Sequence, residues 1–192
     1  MTHEHDHHRA EGDAERPLYG AIALTGVIFF VELAGGWWTG SLALIADAAH
    51  MAVDLLGLSL TLVAAMLARM PADPKRTYGY RRIEVLAALG NAITLMVATG
   101  FLLREAWARF TFPTAIAAKP MIGIAFVGLL CNLASAAMLW KSSRTNINMR
   151  GALMHVLSDG AGSVGAVIAG FIILQTRWYQ ADAVVTVLIC GG

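Results

Sequence analysis

The sequence predicts an all-α integral membrane protein, a bundle of six transmembrane helices in which the sixth is short or truncated. Three observations lead there. Of the 192 residues, 57% are hydrophobic and only 14% are charged, against roughly 25% charged in an ordinary soluble domain. The apolar residues fall into long, evenly spaced runs near the ~20 residues that a helix needs to cross hydrocarbon. Trp37, Trp38, Trp107, Trp140, Trp178 and Tyr179 stand at the ends of these runs, where an aromatic belt meets the lipid headgroups.

The elements follow in chain order. Residues 1–17, MTHEHDHHRAEGDAERP, are polar and histidine-rich and lack the apolar core of a signal peptide; they are expected to form a flexible tail ahead of a membrane domain over 18–192. The first span is expected over Leu18–Trp38, the second over Leu42–Ala68 and the third over Ile83–Trp107. The fourth is expected over Met121–Trp140 and the fifth over Gly151–Gln175. A sixth begins near Ala181 and reads ADAVVTVLICGG to the last residue, about half the length a span requires. Either the sequence is truncated there or the last helix is incomplete.

Charge sets the orientation. Arg69, Lys75, Arg76, Arg81 and Arg82 lie between spans two and three, and Lys141, Arg144 and Arg150 between four and five. The other side holds Arg109, Lys119 and Arg177, with Arg104 a turn inside the third span. The basic loops are expected in the cytoplasm, and the N-terminus with them. A net charge of +1 gives no reason to expect a nucleic-acid partner. Cys131 and Cys190 are far apart in apolar runs and read as packing residues.

Against this background the ionisable residues inside the spans stand out, because burying charge in a membrane costs several kcal/mol by most estimates. The second span carries Asp47, His50 and Asp54, and the fifth carries His155 and Asp159. A spacing of four puts two side chains on one helix face, a turn apart. The second and fifth spans run in opposite directions. If their faces meet, His50 comes level with Asp159 and Asp54 with His155. Two imidazoles and two carboxylates suit a tetrahedral Zn²⁺ ion, and with no thiolate among them a soft ion such as Cu(I) is disfavoured. The bland reading is that each histidine and aspartate is satisfied locally. Two copies on separate helices, taking every histidine outside the tail, favour the shared cluster. Asp47 is placed to extend a polar path or to orient a ligand, and Glu32 in the first span and Asn132 in the fourth are candidates for similar support. Gly162, Ala166 and Gly170 form a stripe of small residues along the fifth span, which lets helix backbones approach closely.

These residues carry a resemblance. GSLALIADAAHMAVDLLGLSL, RTYGYRRIEVLAALGNAI and GALMHVLSDGAGSVGAVIAG resemble the second helix, the cytoplasmic loop with the start of the third helix, and the fifth helix of the zinc-exporting cation diffusion facilitators. The resemblance runs over nearly the whole chain from about residue 17. It implies a six-helix secondary transporter, usually a homodimer, that moves Zn²⁺ out of the cytoplasm in exchange for protons. By position it implies His50, Asp54, His155 and Asp159 as the transport-site ligands. Some members have aspartate where His50 stands and tend to accept Cd²⁺ as well, so His50 implies zinc selectivity; Co²⁺ also suits tetrahedral N/O donors. Most members continue into a cytoplasmic ferredoxin-like domain that helps dimerisation, and this sequence is expected to be a transmembrane part without it. His3, His5, His7 and His8 in the tail are candidates for weak metal capture. YGYRRIE, with Arg82 and Glu84, reads as an anchor of the cytoplasmic gate. The implied setting is a bacterial cytoplasmic membrane.

Three functions compete on the sequence: a zinc transporter, a zinc-binding membrane module that does not transport, and an intramembrane metallo-hydrolase. The last is weakest, because no HExxH occurs and four protein ligands leave no open position for water. Charge adds an expectation to the first. With Zn²⁺ bound, two neutral histidines and two ionised aspartates sum to zero. Without it, two carboxylates stand close together where charge is disfavoured. The empty site is therefore expected to take up protons and metal binding to expel them.

Overall fold

The computed structural model describes residues 4–68, 81–144 and 147–191, with the backbone alone described in stretches such as 4–19, 60–68 and 81–84. These residues form α1 (Glu4–Thr39), α2 (Leu42–Ala68), α3 (Arg81–Thr111), α4 (Ala118–Trp140), α5 (Ile147–Thr176) and α6 (Gln180–Gly191), with one 3₁₀ turn at Ser142–Arg144. No strand occurs among the described residues, so the fold is all-α. Gly20–Thr39, Ala118–Trp140 and Met149–Thr176 are each long and apolar enough to cross a membrane. α2 and α3, with 27 and 31 residues, also have the length at 1.5 Å per residue, although part of their side chains lies outside those described. α6 has 12 residues and is the short helix expected.

Helix ends differ from the expected spans by a few residues. α3 extends past Trp107 to Thr111 and α5 begins at Ile147. Helical hydrogen bonding continues beyond the apolar run because ending it would leave backbone groups without partners. α1 already begins at Glu4, so from there the backbone of the segment expected as a flexible tail is continuous with the first span. His3 lies outside the described residues, as do the side chains of His5, His7 and His8 and those of Arg81, Arg82 and Glu84. Arg69, Lys75 and Arg76 fall outside as well.

The helices close into a ring. α1 packs on α4, α4 on α5, α5 on α6, α6 on α3, α3 on α2, and α2 back on α1. α2 also reaches across to α5 and α6, which makes it the central element. The core between α2, α4, α5 and α6 is built from small and medium residues: Ala43, Leu44, Met121, Ala125, Ala166 and Ala169 are wholly buried. The outer surface is apolar instead. Val85, Leu86, Leu89, Met96, Val97 and Phe101 line the exposed side of α3, as lipid-facing residues would. Trp37, Trp38 and Trp107 are exposed towards the ends of α1 and α3.

α5 fits tightly because of its glycines. A methyl group added at Gly162 would meet Asp47 of α2, one at Gly165 would meet Val185 of α6, and one at Gly170 would meet Ile122 of α4. The small-residue stripe thus serves three different helices.

The start of α2 is clamped from two sides. Gly40 turns the chain at φ 75°, a left-handed conformation that suits glycine. Arg109 Nη1 donates to the Gly40 carbonyl at 2.5 Å, and Arg109 Nε pairs with Glu105 at 3.1 Å. Ser41 caps the helix by accepting from Leu44 N at 3.3 Å. Asp182, in the first turn of α6, accepts from Ser41 Oγ at 2.6 Å, Leu42 N at 2.6 Å and Ala43 N at 3.3 Å. A carboxylate against a helix N-terminus satisfies orphan N–H groups and complements the helix dipole. This clamp fixes the height of α2, and so of its mid-helix polar residues.

Candidate metal site

α2 and α5 meet as an antiparallel pair. Asp47 lies against Gly162 and receives a hydrogen bond from Ser163 Oγ at 3.4 Å. Seven residues on, Asp54 lies beside His155, seven to eight residues back along α5. The two polar faces expected from the fourfold spacings therefore do face each other.

Asp54 is the hub. Its Oδ2 is 3.6 Å from His50 Nε2 and 3.5 Å from His155 Nε2. His155 Nε2 is also 3.8 Å from Asp159 Oδ2. These separations are at or beyond the limit of a hydrogen bond, so the groups are apposed without being bonded. Asp54 Oδ2 and Asp159 Oδ2 are buried oxygens with no hydrogen-bond donor. The histidine side chains are 38% and 41% exposed, whereas that of Asp159 is 2% exposed. The cluster thus has a buried floor and an open mouth. A cavity of about 390 Å³ lies over it, lined by Asp47, His50, His155 and Asp159 among others.

The four predicted ligands are neighbours, linked in pairs. As they stand, no group of three or more His, Cys, Asp or Glu side chains among the described residues converges to hold one metal ion. The donor separations nevertheless have a scale worth comparing. Four ligands at 2.0–2.1 Å from a tetrahedral zinc are roughly 3.3 Å from one another. The pairs here are a few tenths of an ångström wider.

The three supporting candidates form a separate network, and no hydrogen bond joins it to either histidine. Glu32 is fully buried, with its carboxyl within hydrogen-bonding reach of Asp47. Asn132 Nδ2 donates to Ser163 Oγ at 3.4 Å, and Ser163 in turn donates to Asp47. A methyl group at Gly128 would collide with Glu32 Oε1, so this glycine on α4 makes the seat for the Glu32 carboxyl. Ser163 carries no signal in the sequence, because a serine within a small-residue stripe reads as packing. Asp182 carries none either, since an aspartate in a helix's first turn looks like an ordinary local cap and its partners are some 140 residues away.

Comparison with known proteins agrees with this arrangement. Residues 18–191 match the cation efflux transmembrane domain. The chain is 43% identical over 187 residues to the metal cation efflux system protein CzcD of Cupriavidus metallidurans, covering 97% of this chain and 58% of that protein. It is 41% identical over 193 residues to the zinc transporter ZitB of Escherichia coli, covering 98% and 62%. A cadmium, cobalt and zinc/H⁺–K⁺ antiporter of Bacillus velezensis is 35% identical over 187 residues, with 96% and 60% covered. The chain spans about three fifths of the length of these relatives.

Proposed function

The chain belongs to the cation efflux family, and on that premise we propose that it is the membrane part of a secondary transporter exporting Zn²⁺ from the cytoplasm in exchange for protons. In this reading His50, Asp54, His155 and Asp159 are the ligands of the transported ion. The observation that carries it is the apposition of Asp54 to both histidines across α2 and α5, beside two buried carboxylate oxygens that lack donors. A cation arriving at the cluster would supply what those oxygens lack. Closing the donor separations by a few tenths of an ångström would give a tetrahedral set.

The cargo is a divalent ion with a preference for nitrogen and oxygen donors. Zn²⁺ leads, and Co²⁺ and Cd²⁺ are further candidates; the names of the relatives include all three metals. Proton exchange follows from charge, since the ligands bind metal only when deprotonated, and one relative is named as a proton-coupled antiporter. The reading has no catalytic step: the four ligands fill the coordination sphere. It places the N-terminus in the cytoplasm of a bacterium, on the strength of the basic loops. It includes a homodimer, which rests on the family resemblance. The tail histidines His3, His5, His7 and His8 would at most concentrate metal near the entrance.

Reconstitution of the 192-residue chain in liposomes holding a zinc dye and a pH dye tests this. Zinc movement should shift internal pH, and collapsing the pH gradient should remove the driven component of flux. Zinc flux without proton counter-movement would make the protein a passive pathway. Zinc binding without flux would return it to a binding module.

A further inference from the structure

One turn before His50 on α2, two acidic groups touch. Glu32 of α1 and Asp47 of α2 have carboxyls within hydrogen-bonding reach of each other. Both residues are buried, at 0% and 3% exposure. Neither Glu32 oxygen has a hydrogen-bond donor. An ionised carboxylate only accepts hydrogen bonds, so two of them in contact repel unless one carries a proton. Among the described residues no Lys, Arg or His pairs with either group. The groups that face the pair are Asp159 and Ser163 from α5 and Gly128 from α4, with Asn132 behind Ser163. None of these brings a positive charge to the pair.

We propose that Glu32 and Asp47 share one proton and form a second protonation site of the transporter, apart from the metal ligands. The proposal rests on the reading of His50, Asp54, His155 and Asp159 as the metal site. With the proton the pair carries one negative charge; without it, two. A divalent ion bound a turn away offsets the second charge, so metal loading releases the proton and metal departure draws one back. Two features favour a proton over a metal ion as the occupant. The carboxyl–carboxyl contact occupies the space an ion would need, and the backbone of α4 at Gly128 closes the Glu32 side so tightly that even a methyl group is excluded. A route exists as well. Asp47 lines the same cavity as His50, His155 and Asp159, so a proton leaving the pair enters the space that the metal occupies.

The test uses infrared difference spectroscopy on the purified 192-residue protein in D₂O. A protonated carboxylic acid has a carbonyl band distinct from that of a carboxylate. That band should be lost from the wild-type spectrum in Glu32→Gln, and shifted in Asp47→Asn, which leaves Glu32 to bond an amide. An unchanged band in both would overturn the proposal, and either variant suffices should the other fail to fold. Zn²⁺ should weaken the band in the wild type and leave it unchanged in Asp54→Asn. Calorimetry in buffers of different ionisation heat adds a second readout: Glu32→Gln should release fewer protons per zinc bound at near wild-type affinity, and equal release would overturn coupling. If wild-type protein binds no zinc, the metal reading fails, while the band and its loss in Glu32→Gln still judge the shared proton.

Discussion

Two aspartate-centred clusters sit on α2, about three turns apart. At its N-terminus, Asp182 is 1% exposed and takes three hydrogen bonds, two of them at 2.6 Å. In mid-helix, Asp54 faces two histidines at 3.5 and 3.6 Å, and its Oδ2 is bonded to neither. The first cluster is complete: each oxygen of Asp182 has a protein donor. The second leaves buried acceptors unfilled beside half-exposed imidazoles. A buried polar group without a partner costs roughly 1–3 kcal/mol, more if charged. A fold that leaves such oxygens beside an open cavity has kept places for something it does not supply. The contrast separates a carboxylate that fastens helices from carboxylates that await a cation.

The contrast can be broken by substitution. Asp54→Ala or His155→Ala should abolish nearly all zinc flux while leaving membrane insertion and thermal unfolding close to wild type, because no strong native bond is lost. Wild-type flux from a well-inserted Asp54→Ala protein would remove the cluster from the transport path. Asp182→Ala should do the reverse at the level of folding. It strands the Ser41 hydroxyl and the N–H groups of Leu42 and Ala43, a loss on the order of 3 kcal/mol, read as a lowered unfolding midpoint in detergent. Asp182→Asn, which keeps an acceptor, should recover part of it. An Asp182→Ala protein as stable as wild type would place Asp182 outside the fastening role.

Two smaller effects sharpen the comparison. His50→Asp swaps a nitrogen donor for a carboxylate that binds a larger ion flexibly, so competition uptake should show a higher share of Cd²⁺ relative to Zn²⁺. An unchanged ratio would mean that selectivity lies elsewhere. Deleting residues 2–9 should leave maximal flux intact and at most weaken apparent affinity at low zinc. Complete loss of flux would give the tail a role at the site itself.

Part of the fold and of the site is legible in the order of residues alone. Five long apolar runs and one short one correspond to six helices in matching order, because the length and hydropathy of a span are local properties. Glu32, Asp47 and Asn132 stand out as polar residues in apolar surroundings. Their grouping does not: a network drawn from α1, α2, α4 and α5 depends on which helices adjoin, and hydropathy is silent on that. The closing of the ring α1–α4–α5–α6–α3–α2 is equally hidden, since lipid-facing and helix-facing residues are alike apolar.

The sequence by itself determined that His50 shares a face with Asp54, and His155 with Asp159, because the helix repeat places residues four apart one above the other. Only the tertiary structure decided that these two faces oppose each other in the register that sets Asp47 against Gly162 and Asp54 against His155. That register comes from close contact at glycines and from a clamp between Asp182 and the start of α2. Close packing and a carboxylate 140 residues distant from its donor are relations between helices, and helical periodicity fixes positions only within one.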